Sequence, residues 1–126
     1  MHKSGDARFL QAYRNRLVEW RRQPTVNRVE KPTRVERARA LGYRENHLNI
    51  VTRVKVRKGH PLNPRPRAGR RPKKMGVKKL TLKITHQRIA EQRAQKRYRN
   101  MRVVGSYLAG EDGEHQWYEV VLSRSG

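Results

Sequence analysis

Residues 102–123, "RVVGSYLAGEDGEHQWYEVVLS", contain two apolar segments on either side of the short polar stretch "EDGEH". Segments rich in β-branched and aromatic residues that flank a glycine-containing turn are typical of a β-hairpin. We therefore predict antiparallel strands over 102–110 and 116–123. Trp117 and Tyr118 are adjacent, so their side chains point to opposite faces, and we expect one of them to be exposed or at an interface.

Two further strands are predicted upstream of the hairpin. Residues 49–57, "NIVTRVKVR", alternate with a period of two, which predicts an apolar face and a basic face. The apolar face comprises Ile50, Thr52, Val54 and Val56, and the basic face comprises Arg53, Lys55 and Arg57. Residues 25–30, "TVNRVE", form a shorter candidate strand that ends at Lys31-Pro32.

Three segments have helical periodicity. Residues 6–22 carry an apolar stripe of Phe9, Leu10, Tyr13, Leu17 and Trp20. In residues 33–42, Thr33 and Glu36 have the spacing of a capping box and Gly42 suits the position after the helix end. Residues 85–98 have Thr85 as a candidate N-cap. The order of elements predicts an α+β fold, with a small, mostly antiparallel sheet and packed helices. We expect Trp20 and Tyr107 to lie in its core.

The composition indicates a polyanionic partner. The 126 residues include 32 Lys or Arg and only 10 Asp or Glu, giving a formal net charge of +22. Such a charge opposes compaction through self-repulsion, and a nucleic acid would relieve it. No apolar run approaches the length of a membrane span, no signal peptide is evident, and cysteine is absent. We expect a single domain over residues 1–126 that has no membrane partner, no small-molecule substrate, no metal and no cofactor.

The basic residues are concentrated in one acid-free window. No acidic residue occurs between Glu45 and Glu91, and residues 58–80 lose all periodicity while holding four of the six prolines. We interpret 58–80 as an extended basic arm, because it lies between two predicted elements; the alternative is a disordered solubilising or localisation segment. The window contains Arg53, Lys55, Arg57, Lys58, Arg65, Arg67, Arg70, Arg71, Lys73, Lys74, Lys78, Lys79, Lys83 and Arg88, all predicted to bind nucleic acid.

The kind of nucleic acid follows from motifs that the sequence lacks. It has no zinc-finger spacing, no basic-zipper heptads and no aromatic–basic strand signature of the common single-strand RNA module. Binding by shape and phosphate contact to a large folded RNA is therefore favoured, and non-specific compaction of DNA is the alternative.

A third hypothesis is a nuclease that uses the acidic turn. Glu111, Asp112, Glu114 and His115 could form a metal or acid–base cluster, but they lie within one turn and have no distant partner in the sequence. We favour a polar hairpin turn and no enzymatic activity. The five histidines show no metal-ligand spacing, so each is expected to be a surface or RNA-facing residue.

Three longer stretches together resemble a known family. They are "RVEKPTRVERARALGYR" (28–44), "VTRVKVRKG" (51–59) and "RIAEQRAQKRYRNMRVVGSYLAGEDGEHQWYEVVL" (88–122). They are similar to the large-subunit ribosomal protein L-fifteen-e family of archaea and eukaryotes, over about Tyr13 to Leu122, and the chain looks like a shortened member.

The resemblance implies a non-enzymatic, cytoplasmic component of the ribosome. It would bind 23S-type ribosomal RNA and contact neighbouring large-subunit proteins. By position, Arg34, Arg37 and Arg39 correspond to the basic helix of the family, and Arg53, Lys55 and Arg57 to its basic strand. The stretch "RPRAGRRPKKMGVKK" takes the place of a loop that penetrates RNA.

Overall fold

The computed structural model describes residues 3–45, 48–59, 68–69, 71–74 and 84–124. Its helices are α1 (Lys3–Arg22), α2 (Val35–Ala40) and α3 (His86–Arg97), with a short 3₁₀ turn at Pro72–Lys74. Its strands are β1 (Val26–Val29), β2 (Asn49–Arg57), β3 (Met101–Glu111) and β4 (His115–Arg124). The predicted α+β fold and the predicted positions of its helices and strands are confirmed.

The strands form one antiparallel sheet in the order β1-β2-β4-β3. The predicted hairpin is β3–β4, and β2 pairs with β4 along its whole length, so β2 and β4 are central. Exposed sheet edges invite pairing with other chains unless they are short or irregular. Here β1 has only four residues, and the β3–β4 ladder is interrupted by register shifts at Val103/Gly105 and Leu108/Gly110.

Helix α3 covers one face of the sheet. Its buried Ala90 and Ala94 pack against a cluster that includes Val54, Val56 and Leu122. Small side chains on the helix allow it to approach the strands closely. The predicted N-cap is confirmed, because the Thr85 hydroxyl accepts a hydrogen bond of 3.2 Å from the backbone N–H of Arg88.

Helices α1 and α2 cover the opposite face. Leu17 and Trp20 of α1 pack on Trp117, while Ala38 of α2 packs with Val51 and Tyr107. Trp20 and Tyr107 are buried as predicted.

A glycine in β3 lets α1 approach the hairpin. A Cβ atom at Gly110 would lie 2.8 Å from Trp20 Cζ3, closer than side chains pack. On the two faces of β4, Trp117 is buried beneath α1 and Tyr118 is half-buried against the α3 cluster.

The apolar stripe of α1 is only partly used. Tyr13, Leu17 and Trp20 pack on the sheet as predicted, but Phe9 and Leu10 are 67% and 50% exposed. The apolar stripe is therefore longer than the part of it that packs on the sheet. In the described part of the chain, the contacts of α1 with the sheet begin at Tyr13, whereas the apolar stripe begins at Phe9.

The N-terminus of α2 differs from the prediction, and its C-terminus agrees with it. Its N-cap is Arg34, with no side-chain capping bond, so the predicted capping box of Thr33 and Glu36 is wrong. Its C-terminus is as predicted: Gly42 has φ +110° and donates to Arg39 O (3.0 Å), while Tyr43 N donates to Ala38 O (2.9 Å). This pair of bonds is a Schellman motif, which needs a left-handed residue and therefore favours glycine.

Candidate nucleic-acid interface

The described basic side chains lie almost entirely on the surface. Among them only Arg53 is buried and only Lys55 is half-buried; the others are exposed. Exposed cations in such excess form a surface that attracts a polyanion. The position of each predicted contact residue decides whether it can reach one.

Arg53 does not lie on an exposed basic face. It is 8% exposed, its Nη2 lies 3.3 Å from Glu119 Oε2, and its guanidinium lies 4.1 Å from the centre of the Trp20 ring. The prediction of an outward-facing Arg53 is wrong, because β2 is a central strand and α1 covers this face. Burial lowers the pKa of Arg53, and the nearby Glu119 carboxylate opposes that shift. No phosphate can approach Arg53 while α1 stays in place.

Glu119 is the fully buried partner of Arg53. Besides Arg53, it accepts hydrogen bonds from Thr33 N (2.8 Å) and Thr33 Oγ1 (2.7 Å), and from the Tyr107 hydroxyl. Arg53, Glu119 and Tyr107 are direct cross-strand neighbours on β2, β4 and β3. Burial, reinforced by Glu119, raises the pKa of Tyr107. This network joins three strands to the segment before α2, so these charges stabilise the fold.

The other two residues of the predicted basic strand face become accessible toward its end. Lys55 is half-buried, and its Nζ lies 3.5 Å from the carbonyl oxygen of Arg21. Arg57 is exposed at the end of β2, and the next residue, Lys58, pairs with Glu111 at 3.3 Å. Accessibility therefore increases from Arg53 to Arg57 as the strand emerges from under α1.

The three predicted arginines of the second helix lie on its solvent side. Arg34 is the N-cap of α2 and lies 5.9 Å from the Tyr107 ring centre, and Arg37 is exposed. Arg39 approaches Glu45 at 3.9 Å, but both side chains are about two-thirds exposed, so water screens this pair. All three can reach a partner without disturbing the core.

The predicted basic arm is described only in part. Arg71, Lys73 and Lys74 are exposed on and beside the 3₁₀ turn, where Lys74 N donates to Arg71 O at 2.8 Å. Six further predicted contacts lie outside the described residues, namely Arg65, Arg67, Arg70, Lys78, Lys79 and Lys83. Arg88, on the first turn of α3, is exposed and lies 3.8 Å from Glu91.

The segment between β2 and α3 begins and ends at the same place on the domain. His86, the first residue of α3, lies 3.2 Å from the carbonyl oxygen of Gly59 and 3.0 Å from Gln116 Oε1. Lys58 N also donates to Glu114 O at 2.8 Å. We call Gly59, His86 and Gln116 the arm root. No sequence pattern predicts this contact, because its partners are 27 and 30 positions from His86 along the chain.

The acidic turn has a structural role. Asp112 Oδ1 accepts from Glu114 N (2.8 Å) and His115 N (2.6 Å), and its Oδ2 pairs with Arg21 at 2.8 Å. Burial alone would raise the pKa of Asp112, but the Arg21 pair and the two N–H donors outweigh it and lower the pKa to about 2. The geometry is that of the predicted polar turn. Within the described residues, no group of three or more potential ligands could hold a metal ion.

Glu111 at the same turn is held by its neighbours. Its pKa is lowered by the hydrogen bond from Gln116 and by the ammonium group of Lys58. The two acidic residues therefore engage Arg21 and Lys58, and they do not form an isolated acidic patch.

The list of predicted contacts omitted a second set of exposed cations. On α1 these are Arg8, Arg14, Arg16 and Arg22; on and after α3 they are Arg93, Lys96, Arg97, Arg99 and Arg102. The available signal was helical spacing, which places charged residues opposite an apolar stripe. Because α1 and α3 cover opposite faces of the sheet, basic surface is present on both sides of the domain.

Two findings bear on the class of the protein. Among the described residues, no helix combines the length and apolar character needed to cross a membrane. A family model described as Ribosomal L15 matches residues 1–124, which is nearly the entire chain.

Proposed function

The chain belongs to the L-fifteen-e family of ribosomal proteins, and we propose that it neutralises phosphates of 23S-type ribosomal RNA and bridges RNA helices. Membership of the family makes it a structural, non-enzymatic constituent of the large ribosomal subunit. The proposal concerns how it binds RNA, and through which residues. The family assignment lends no support to a DNA-compacting role.

The observation that carries the proposal is the arrangement of charge on the two sides of the sheet. Exposed arginines of α1 and α2 lie on one side, and those of α3 lie on the other. A domain that is basic on both sides can neutralise phosphates of two RNA segments at once. Phosphate contacts of this kind fix position without reading bases, which suits a folded RNA of fixed shape.

We infer that residues 58–80 act as an arm of a single RNA-binding domain, residues 1–126. Gly59 and His86, which lie on either side of most of this segment, contact each other, so the chain leaves the domain and returns to it at one site. The exposed side chains of Arg71, Lys73 and Lys74 support a role in phosphate contact. The proposed RNA-binding set comprises Arg34, Arg37, Arg39, Lys55, Arg57, the basic residues of the arm, Lys83 and Arg88, and it excludes the buried Arg53.

The test is the salt dependence of binding to a large-subunit ribosomal RNA transcript. If six or more phosphates are contacted, log affinity should fall with log salt with a slope on the order of −5 or steeper. Changing Arg71, Lys73 and Lys74 to alanine should make the slope shallower by roughly 2 to 3 and leave the melting temperature of the free domain unchanged.

The matched control removes a cation from the interior. The pair of changes Arg53→Met and Glu119→Gln should leave the salt slope as in the wild type, once circular dichroism shows that the variant is folded. An affinity that hardly changes with salt would refute the proposed mode of binding. An unchanged slope in the triple variant would remove these three residues from the RNA contact.

A further inference from the structure

His86 holds the arm root through both nitrogens of its ring. The half-buried side chain places Nδ1 3.0 Å from Gln116 Oε1 on β4 and Nε2 3.2 Å from the carbonyl oxygen of Gly59, just after β2. One side chain therefore joins the start of α3 to the residue at which the chain leaves the sheet.

Both partners of the ring are hydrogen-bond acceptors. The Gly59 partner is a backbone carbonyl, which can only accept. The orientation of the Gln116 amide is fixed on its other side, since its Nε2 donates to Glu111 Oε2 at 3.3 Å and a carboxylate cannot donate. The Tyr118 hydroxyl also donates to Gln116 Oε1, at 3.2 Å. A neutral imidazole has one N–H and satisfies one of these acceptors, whereas an imidazolium satisfies both.

We propose that His86 is a positioning residue for the basic arm, and that its doubly protonated ring holds together Gly59 and the start of α3, between which the arm lies, when the protein binds RNA. The inference rests on the proposed RNA-binding function. Holding both ends fixed reduces the conformational freedom that the arm must lose on binding. RNA binding is therefore coupled to the uptake of a proton.

The charges around the ring make it responsive to RNA. Glu111 is linked to the ring through the amide of Gln116, and its negative charge favours the imidazolium. Lys58 pairs with Glu111 at 3.3 Å, and its positive charge offsets that effect. Arg57 and His115 are cross-strand partners beside the arm root, and Glu114 is exposed in the adjoining turn.

Helix α3 also acts on the ring, because His86 is its first residue. The positive end of the helix dipole disfavours a cation there, and the first turn contains no acidic residue. A polyanion bound beside the arm root adds negative charge near the ring and so favours the imidazolium form.

The experiment measures affinity of the full chain for the large-subunit ribosomal RNA transcript at pH 6 and pH 8, at one fixed salt concentration. The wild type should bind roughly five-fold more tightly at pH 6 than at pH 8. This factor corresponds to the net contribution of one intramolecular hydrogen bond. His86→Phe should lose most of this gain and keep the salt slope. His115→Phe is the matched control, since His115 is half-buried at the same end of the sheet, and it should keep the gain.

If His86→Phe folds poorly, a spectroscopic measurement on the wild type tests the same proposal. In the wild type, ring ¹⁵N shifts should show that RNA converts His86 to the doubly protonated form at neutral pH. A neutral ring in the complex at pH 6, or a His86→Phe variant with the wild-type pH ratio, would overturn the inference. Failure here with a steep salt slope leaves the proposed function intact, whereas a flat salt slope in the wild type removes both.

Discussion

Replacing Glu119 with glutamine should strongly destabilise the domain. The carboxylate is fully buried and accepts from Arg53, from Tyr107 and from two donors of Thr33. In the glutamine variant the amide oxygen can still accept from Thr33 N, and the Thr33 hydroxyl can accept from the new amide group. The guanidinium of Arg53 then faces that amide group at about the 3.3 Å separation of the present ion pair, and its buried charge loses its ion-pair partner.

The size of the effect follows from that unpaired charge. Removing one partner of a buried ion pair costs about 3–5 kcal/mol, whereas replacing both partners with groups of similar shape is often close to neutral. Glu119→Gln alone should therefore lower the free energy of unfolding by at least about 3 kcal/mol. Adding Arg53→Met should recover most of that loss, because methionine removes the charge and still packs on the Trp20 ring.

The assay is urea unfolding followed by circular dichroism and by tryptophan fluorescence. Both tryptophans report on this region, because the ring centres of Trp20 and Trp117 are 5.9 Å apart. Glu45→Gln is the control, since the Glu45 pair with Arg39 is exposed, and it should cause no measurable loss. A Glu119→Gln variant within about 1 kcal/mol of the wild type, or a double variant no more stable than Glu119→Gln, would refute the argument.

Three further outcomes are expected. Asp112→Asn keeps an oxygen for the turn N–H groups but loses the charge facing Arg21. Because the pKa of Asp112 is lowered to about 2, the stability it contributes is complete above the unfolded pKa of about 4 and is lost as pH falls from there toward 2. The variant should therefore be less stable at pH 7, and the difference should shrink as pH falls through 2 in acid-unfolding curves. Thr85→Ala should cost about 1 kcal/mol in thermal unfolding and Thr85→Ser much less, because the hydroxyl caps Arg88 N. Finally, salt should raise the melting temperature of the free chain, because it screens the repulsion between surface cations. It should also weaken RNA binding, because it screens their attraction to phosphates. A melting temperature that falls with salt would contradict this prediction.

Local signals were sufficient to predict most of the fold. The hairpin, β2 and α3 were predicted because alternation, turn composition and the cap at Thr85 act between residues close in sequence. The exposed arginines of α2 were placed correctly for the same reason. Their prediction required only the helical period of an amphipathic helix.

The failures arose where a distant segment decides the environment. Alternation placed Arg53 on a basic face, but only the packing of α1 shows that this face is covered. The capping signal at Thr33 was misleading because its donors are used by Glu119, which lies 86 positions away. Glu119 stands alone within the apolar run "WYEVVL", and a single carboxylate in a strand gives no indication of its partner.

The arm root was hidden from sequence reasoning for a related reason. The contacts of His86 span 27 and 30 positions, and neither Gly59 nor Gln116 belongs to a pattern that involves histidine. At the hairpin end of the sheet, packing makes this histidine part of a contact between three segments. Such a contact is determined only by how these segments pack in the folded domain.

The distribution of charge separates the interactions that stabilise the fold from those proposed to bind RNA. The buried arginine, Arg53, is matched by the buried carboxylate of Glu119, and the carboxylates of the hairpin turn engage Arg21 and Lys58. On α2 and α3, Arg39 and Arg88 have only longer ion pairs at the surface, with Glu45 at 3.9 Å and with Glu91 at 3.8 Å. Evolution can therefore change individual surface cations to suit an RNA site at little cost in stability, because few of those cations are bonded to the core. A change of charge at Arg53 or Glu119 would instead destabilise the domain, because both side chains are buried and paired with each other.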